Sequence, residues 1–203
     1  LFESAPAESR VEILDSYREH WKVLGQGVSG SRSEMARQGL VDDDRQVRRA
    51  AAKLIAVRPF PQMLHAAIDA AVVHPELTLA AVMAVATNRE HQGCRWALRA
   101  GAREGGAVRQ AALLAFRRSG PKCKERVMEF LGADEPAERL LAAEGLLHVA
   151  ESSDVERMRA WAERWSADHP EMAERMREAA DALESSVYDP PQQQPVEVRF
   201  TRK

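Results

Sequence analysis

The chain is poor in the residues that strands are built from. Aromatic side chains make up only 5% of its 203 residues, so a sheet protein is the wrong first expectation. Cysteine is scarcer still: Cys94 and Cys123 alone, too sparse for a disulfide framework, which points to a reducing compartment and a cytoplasmic protein. No apolar run approaches the ~20 residues that a bilayer-spanning helix needs, and the stretch Leu1 to Arg10 lacks the basic and apolar regions of a secretory leader. A membrane partner is therefore not expected. Net charge is only -2, which excludes a global attraction to nucleic acid or anionic lipid, though not a local patch. Catalytic signatures are missing as well: no HExxH, no GxSxG, no GxxxxGK[ST], and no GxGxxG between a strand and a helix. The expectation is a protein that is not an enzyme and uses no cofactor.

What the chain does contain is alanine, leucine, arginine and glutamate, with 30% charged residues, a helix-forming mixture. It also contains an internal repeat. Four segments align, beginning VRRAAAKLI at Val47, LTLAAVMAV at Leu77, VRQAALLAF at Val108 and ERLLAAEGL at Glu138, at offsets of 30, 31 and 30 residues. The fifth column is always alanine, Ala51, Ala81, Ala112 and Ala142, which lets one helix backbone approach another closely. The eighth column, Leu54, Ala84, Ala115 and Gly145, is mostly small; the ninth, Ile55, Val85, Phe116 and Leu146, is always apolar. Together they form one helical stripe.

A helix-start signal precedes each segment: Asp42, Asp43 and Asp44; His74 with Pro75; Gly105 with Gly106; Asp134 and Glu135 with Pro136. Between them lie further helical stretches, roughly Ser33 to Val41, Gln62 to Val73, His91 to Arg103 and Pro121 to Leu131. The ends are less regular, as capping repeats are. Glu8 to Leu24 reads as an entry helix through Val11, Leu14, Tyr17, Trp21 and Leu24, with a Gly/Ser linker after it. Asp154 to Ser166 and Pro170 to Ser185 form a last pair, whose inner stripe is Met172, Met176, Ala179, Ala180 and Leu183. Trp161 and Trp165 share a face there, either sealing the core or anchoring a partner, and the core role is favoured. Beyond Val187, Pro190, Pro191 and Pro195 with three glutamines forbid a helix. The last stretch, Val196 to Lys203, alternates like a strand or docking peptide, with a frayed terminus the simpler reading. Three regions result: residues 1–32, entry helix and linker; 33–186, the repeats; 187–203, an extended tail.

The segment Asp42 to Val57, DDDRQVRRAAAKLIAV, resembles the second helix of a HEAT repeat of the phycobilin-lyase-like kind, and Ala137 to Ala150 is similar. The resemblance covers most of Ser33 to Ser185. It implies an all-α, right-handed α-α superhelix of about five helix pairs, and it implies macromolecular binding more than catalysis. In that family an aspartate before the second helix and an arginine just inside it form a ladder between repeats. Asp42 and Arg48 match; Arg109 and Arg139 keep the arginine, whereas Thr78 replaces it, and Arg103 and Ala133 stand where Asp42 stands. The His-Glu pairs of iron-binding HEAT-like hydroxylases are absent, since His65, His74, His91 and His148 are not followed by glutamate. His91 and Cys94 supply two ligands, too few for a metal. Cys123 lies between Lys122 and Lys124, charges that would favour its thiolate, although an inert thiol is the simpler reading.

In such a stack, positions opposite the core stripe point toward a partner. Taking Ala51 and Ile55 as inward, at ~100° per residue, the outward row is Arg49 and Lys53, Leu79 and Met83, Gln110 and Leu114, Leu140 and Glu144. Leu79, Met83, Leu114 and Leu140, with Arg49 and Lys53, are the candidate binding residues for a protein or peptide. Neighbouring helices covering these side chains is an equally weighted reading. The alternative function is nucleic-acid binding through Arg45, Arg48, Arg49, Arg109, Arg117, Arg118 and Arg139, as in HEAT-like DNA glycosylases. A bilin-lyase role follows from the resemblance alone.

Overall fold

A computed structural model describes residues 2–20, 29–58, 60–88 and 93–185. Among these there are eleven α-helices and no strand. The helices are α1 (Ala7–Glu19), α2 (Ser29–Leu40), α3 (Arg45–Val57), α4 (Leu64–Val73), α5 (Thr78–Asn88), α6 (Cys94–Glu104), α7 (Gly106–Ser119), α8 (Pro121–Glu129), α9 (Pro136–Val149), α10 (Val155–Trp165) and α11 (Pro170–Glu184). None is long and apolar enough to cross a membrane. Helix α2 starts four residues before its expected boundary, taking residues 29–32 from the anticipated linker. Trp21 and Leu24 of the expected entry helix, His91, and the tail from Val187 onward lie outside the described residues.

The chain forms two compact units, Leu1–Ala97 and Leu98–Lys203. In the first, α3 packs against α1, α2 and α5, and α4 packs against α5. In the second, α9 packs against α7, α8 and α11, and α10 packs against α11. The four repeat segments are thus α3, α5, α7 and α9, and within each unit they contact one another directly.

The alanine column does what a small side chain allows. Ala51, Ala81, Ala112 and Ala142 are all at most 2% exposed. A methyl placed on Gly39 would come within 2.8 Å of Ala51 Cβ, and one on Gly101 within 2.8 Å of Ala112 Cβ. Glycine on the first helix therefore faces alanine on the second in both units, which leaves no room for a larger side chain at either glycine. The ninth-column residues Ile55, Val85, Phe116 and Leu146 are completely buried. Phe116 packs against the next repeat's eighth-column Gly145, where a Cβ would meet its ring at 2.6 Å.

Helix starts follow the chemistry of their turns. Asp44 caps α3, its carboxylate accepting from the N–H groups of Gln46 at 2.7 Å and Val47 at 3.2 Å, donors that the first turn leaves without helical partners. Between α6 and α7 only Gly105 intervenes, and Gly105 and Gly106 have φ of 65° and 45°. That left-handed backbone strains any residue bearing a Cβ.

Candidate functional site

In three of the four repeat segments the second position holds the turn ahead of it. Arg48 Nη1 donates to the carbonyl oxygens of Asp42 at 2.7 Å and Asp43 at 2.9 Å. Arg139 Nη1 donates in the same way to Ala133 at 2.8 Å and Asp134 at 2.9 Å. Thr78, which replaces the arginine in the second repeat, is 1% exposed and donates Oγ1–H to the Pro75 carbonyl at 2.8 Å. Arg109 differs because the α6–α7 connection leaves no loop to hold; it pairs with Glu144 on α9.

The expected aspartate–arginine ladder takes another form. Asp42 pairs with Arg10 of α1 at 3.0 Å, and Arg48 Nη2 reaches forward to Glu76 at 3.1 Å. Neighbouring repeats are thus linked through both residues, but Asp42 offers Arg48 its backbone carbonyl and gives its carboxylate to Arg10. Partial burial works against ionisation of Glu76. Hydrogen bonds from its own backbone N–H and from Arg48, with the charges of Arg48 and Arg45, outweigh this and hold the carboxyl below its ordinary value.

Three of the seven arginines expected to line a nucleic-acid face, Arg48, Arg109 and Arg139, are therefore committed within the protein. Arg45 lies 3.8 Å from Glu76, and Arg117 and Arg118 are exposed at the end of α7.

All six candidate binding residues are half-buried. In the first unit Arg49 and Lys53 occupy the third and seventh repeat columns of α3, and Leu79 and Met83 occupy the same columns of α5, which packs on α3. In the second unit Leu114 on α7 and Leu140 on α9 stand in the corresponding columns, with Gln110 exposed and Glu144 tied to Arg109. The large apolar side chains that are exposed are instead Val41, Val57, Val72 and Val73.

The two units differ in charge at this row. Helix α3 carries Arg45, Arg48, Arg49 and Lys53 and no acidic residue, and α5 carries no charged residue at all. Arg49 makes no hydrogen bond or ion pair among the described residues.

One cluster escaped the sequence reading. Lys124 on α8 is 7% exposed and its ammonium donates to Glu151 at 2.7 Å and Asp154 at 3.0 Å. Asp154 is itself 3% exposed and also accepts from the Glu151 N–H at 2.9 Å. Burial disfavours the charged lysine, but hydrogen bonds and attraction from the two carboxylates prevail and raise its pKa above the ordinary value. Lys124 is thus not available to activate Cys123, and the side chain of Lys122 lies outside the described set. The expectation of unpaired thiols is corrected too: Cys94 and Cys123 are both disulfide-bonded, and neither is free. Bond formation depends on tertiary proximity, which a cysteine count does not encode.

Trp165 is 4% exposed, and Trp161 is half-buried with its ring edge 3.3 Å from where a Cβ on Gly132 would lie. Their centroids are 5.6 Å apart and Arg164 sits over Trp161 at 4.9 Å. Trp165 thus belongs to the core between α10 and its neighbours, whereas Trp161 is only partly covered. Met176, Ala179, Ala180 and Leu183 are buried on α11 as the inner stripe predicts, with Ala173 added and Met172 only half-buried.

An open cleft of about 400 Å³ in the first unit is lined by Glu3, Arg10, Arg37, Gln38, Val41, Asp42 and Asp43. Its two arginines are already paired, with Asp42 and with Glu34. Among the described residues no group of three or more histidine, cysteine, aspartate or glutamate side chains is placed to hold a metal. No family model, curated protein or solved structure matches this chain.

Proposed function

We propose that the chain is a HEAT-type right-handed α-solenoid of about five helix pairs, serving as a non-enzymatic adaptor that presents its row of second helices to a protein or peptide. The observation that carries this reading is the row on α3 and α5. Leu79 and Met83 project from a helix with no charge, in the same columns as Arg49 and Lys53 on the helix packed beside it, and none of the four is sealed into the core. A row of half-buried apolar side chains edged by cations fits a peptide or amphipathic helix. Methionine there can adapt its shape to the guest. Regular repeat packing supports the solenoid, because a helix that contacts only its neighbours keeps equivalent columns on one side.

The test is capture from the source cell's lysate on the immobilised full chain and on its Leu79→Glu/Met83→Glu variant, with nuclease and at two salt concentrations. A discrete protein should be retained by the parent chain despite nuclease and be lost with the variant, whose circular dichroism stays helical. Recovery that disappears with nuclease would move the function to nucleic acid. A variant that unfolds would show that Leu79 and Met83 belong to the core.

A further inference from the structure

We propose that the partner of the α3–α5 row is an acidic amphipathic segment, whose apolar side chains meet Leu79 and Met83 and whose carboxylates meet Arg45 and Arg49. The inference rests on the adaptor reading and adds the chemistry of the guest.

Arg45, Arg49 and Lys53 stand four residues apart along α3, so they rise on one face about 6 Å per step. Three of the four cations of α3 lie in its first turns, where the positive end of the helix dipole disfavours them. Arg48 has a structural reason to be there, because it clasps the Asp42 and Asp43 carbonyls and reaches Glu76. Arg45 touches that carboxylate only at 3.8 Å and is 60% exposed. Arg49, half-buried, has no partner within the described protein. A partly desolvated guanidinium without a carboxylate is an arrangement that an incoming carboxylate would improve.

The surrounding charges set the guest's orientation. Asp44 is turned onto the amides that start α3, Asp42 onto Arg10, and Glu76 onto Arg48. The other acids of the elements packed on α3 are exposed Asp43 in the turn before it, Glu8, Glu12, Asp15 and Glu19 on α1, Glu34 on α2 and Asp69 on α4, of which Asp15 and Glu19 pair with Arg18 and Glu34 pairs with Arg37. An acidic segment is repelled by α1 and drawn to α3, with its apolar side left to α5. A nucleic acid fits less well: half of the row is apolar, and neither α3 nor α5 carries an aromatic residue on which a base could stack.

Three fluorescein-labelled probes separate these cases by anisotropy: an amphipathic helix of about 18 residues, five turns, with leucine on one face and glutamate on the other; the same peptide with lysine replacing glutamate; and a single-stranded oligonucleotide. With the full chain, the glutamate peptide should bind at least tenfold tighter than the lysine peptide and weaken as salt is raised. Arg49→Glu should lower its affinity about tenfold while leaving the fold intact, since Arg49 holds nothing in place, and Leu79→Glu/Met83→Glu should abolish binding. Equal affinity for both peptides, lost in the Leu79→Glu/Met83→Glu variant, would overturn the acidic partner and leave the apolar row standing. Failure of every peptide, with a lysate protein still captured through Leu79 and Met83, would do the same. Preference for the oligonucleotide, displaced by neither peptide, would overturn both readings.

Discussion

At the scale of single residues, one repeat position performs one task with different side chains. Arg48, Thr78 and Arg139 all donate to carbonyl oxygens of the turn before their helix, so arginine and threonine are interchangeable there only if the turn shortens to suit. Arg48 has a carboxylate partner in addition to the carbonyls, and Arg139 does not. Arg48→Ala is therefore expected to destabilise by ~2–3 kcal/mol and Arg139→Ala by ~1.5 kcal/mol, since both lose charge-assisted bonds to carbonyls and Arg48 loses an ion pair as well; urea denaturation of the two variants checks the order. The buried Lys124 is more sensitive. Lys124→Met would strand the Asp154 carboxylate at 3% exposure, and a loss of ~3–5 kcal/mol is expected, much of it recovered by adding Asp154→Asn. The arginine column and the exception at Thr78 are legible in the alignment. The Lys124 cluster is not, because its partners come from a turn outside the aligned columns and a lysine in an exposed-looking KCKER stretch gives no sign of burial.

At the scale of helices, the repeat was legible because it is written in side-chain volume. Alanine in the fifth column and apolar residues in the ninth recur in the sequence and are buried in the structure without exception. What the columns did not show is the other half of the seam. Gly39 and Gly101 lie on first helices, whose composition varies too much for a repeating column, yet each meets the alanine of the following second helix. Gly39→Ala and Gly101→Ala should each destabilise by ~1–3 kcal/mol through overpacking, although alanine is intrinsically the better helix former by ~1 kcal/mol. Pairing Gly39→Ala with Ala51→Gly should restore part of the loss, and a double-mutant cycle by thermal denaturation measures that coupling. Helix α2 shows the opposite failing: a Ser/Gly-rich stretch reads as a linker by propensity, but contact with α1, α3 and α4 makes it helical.

For the molecule as a whole, two ion-pair systems bound the pH range of stability. Glu76, held below its ordinary 4.5, contributes stability that is present above that value and lost as pH falls through its lower folded one. Lys124, raised above 10.5, contributes stability that is present below that value and lost as pH rises through its higher folded one. Urea midpoints should therefore be flat through neutrality and decline at both extremes, and Glu76→Gln should flatten the acid limb alone. The disulfide state gives a separate check: thiol reagent in denaturant should find no sulfhydryl before reduction and two after it. The charge contrast between α3 and α5 also has an analytical consequence. Trypsin reduces Arg45, Arg48, Arg49 and Lys53 to fragments too small to follow, whereas no cleavable bond lies between Lys53 and Arg89, because Arg58 is followed by Pro59. Any covalent adduct that a photoreactive guest leaves on Leu79 or Met83 must therefore travel in the single peptide Leu54 to Arg89, so one mass-spectrometric species reports occupancy of the apolar half of the row.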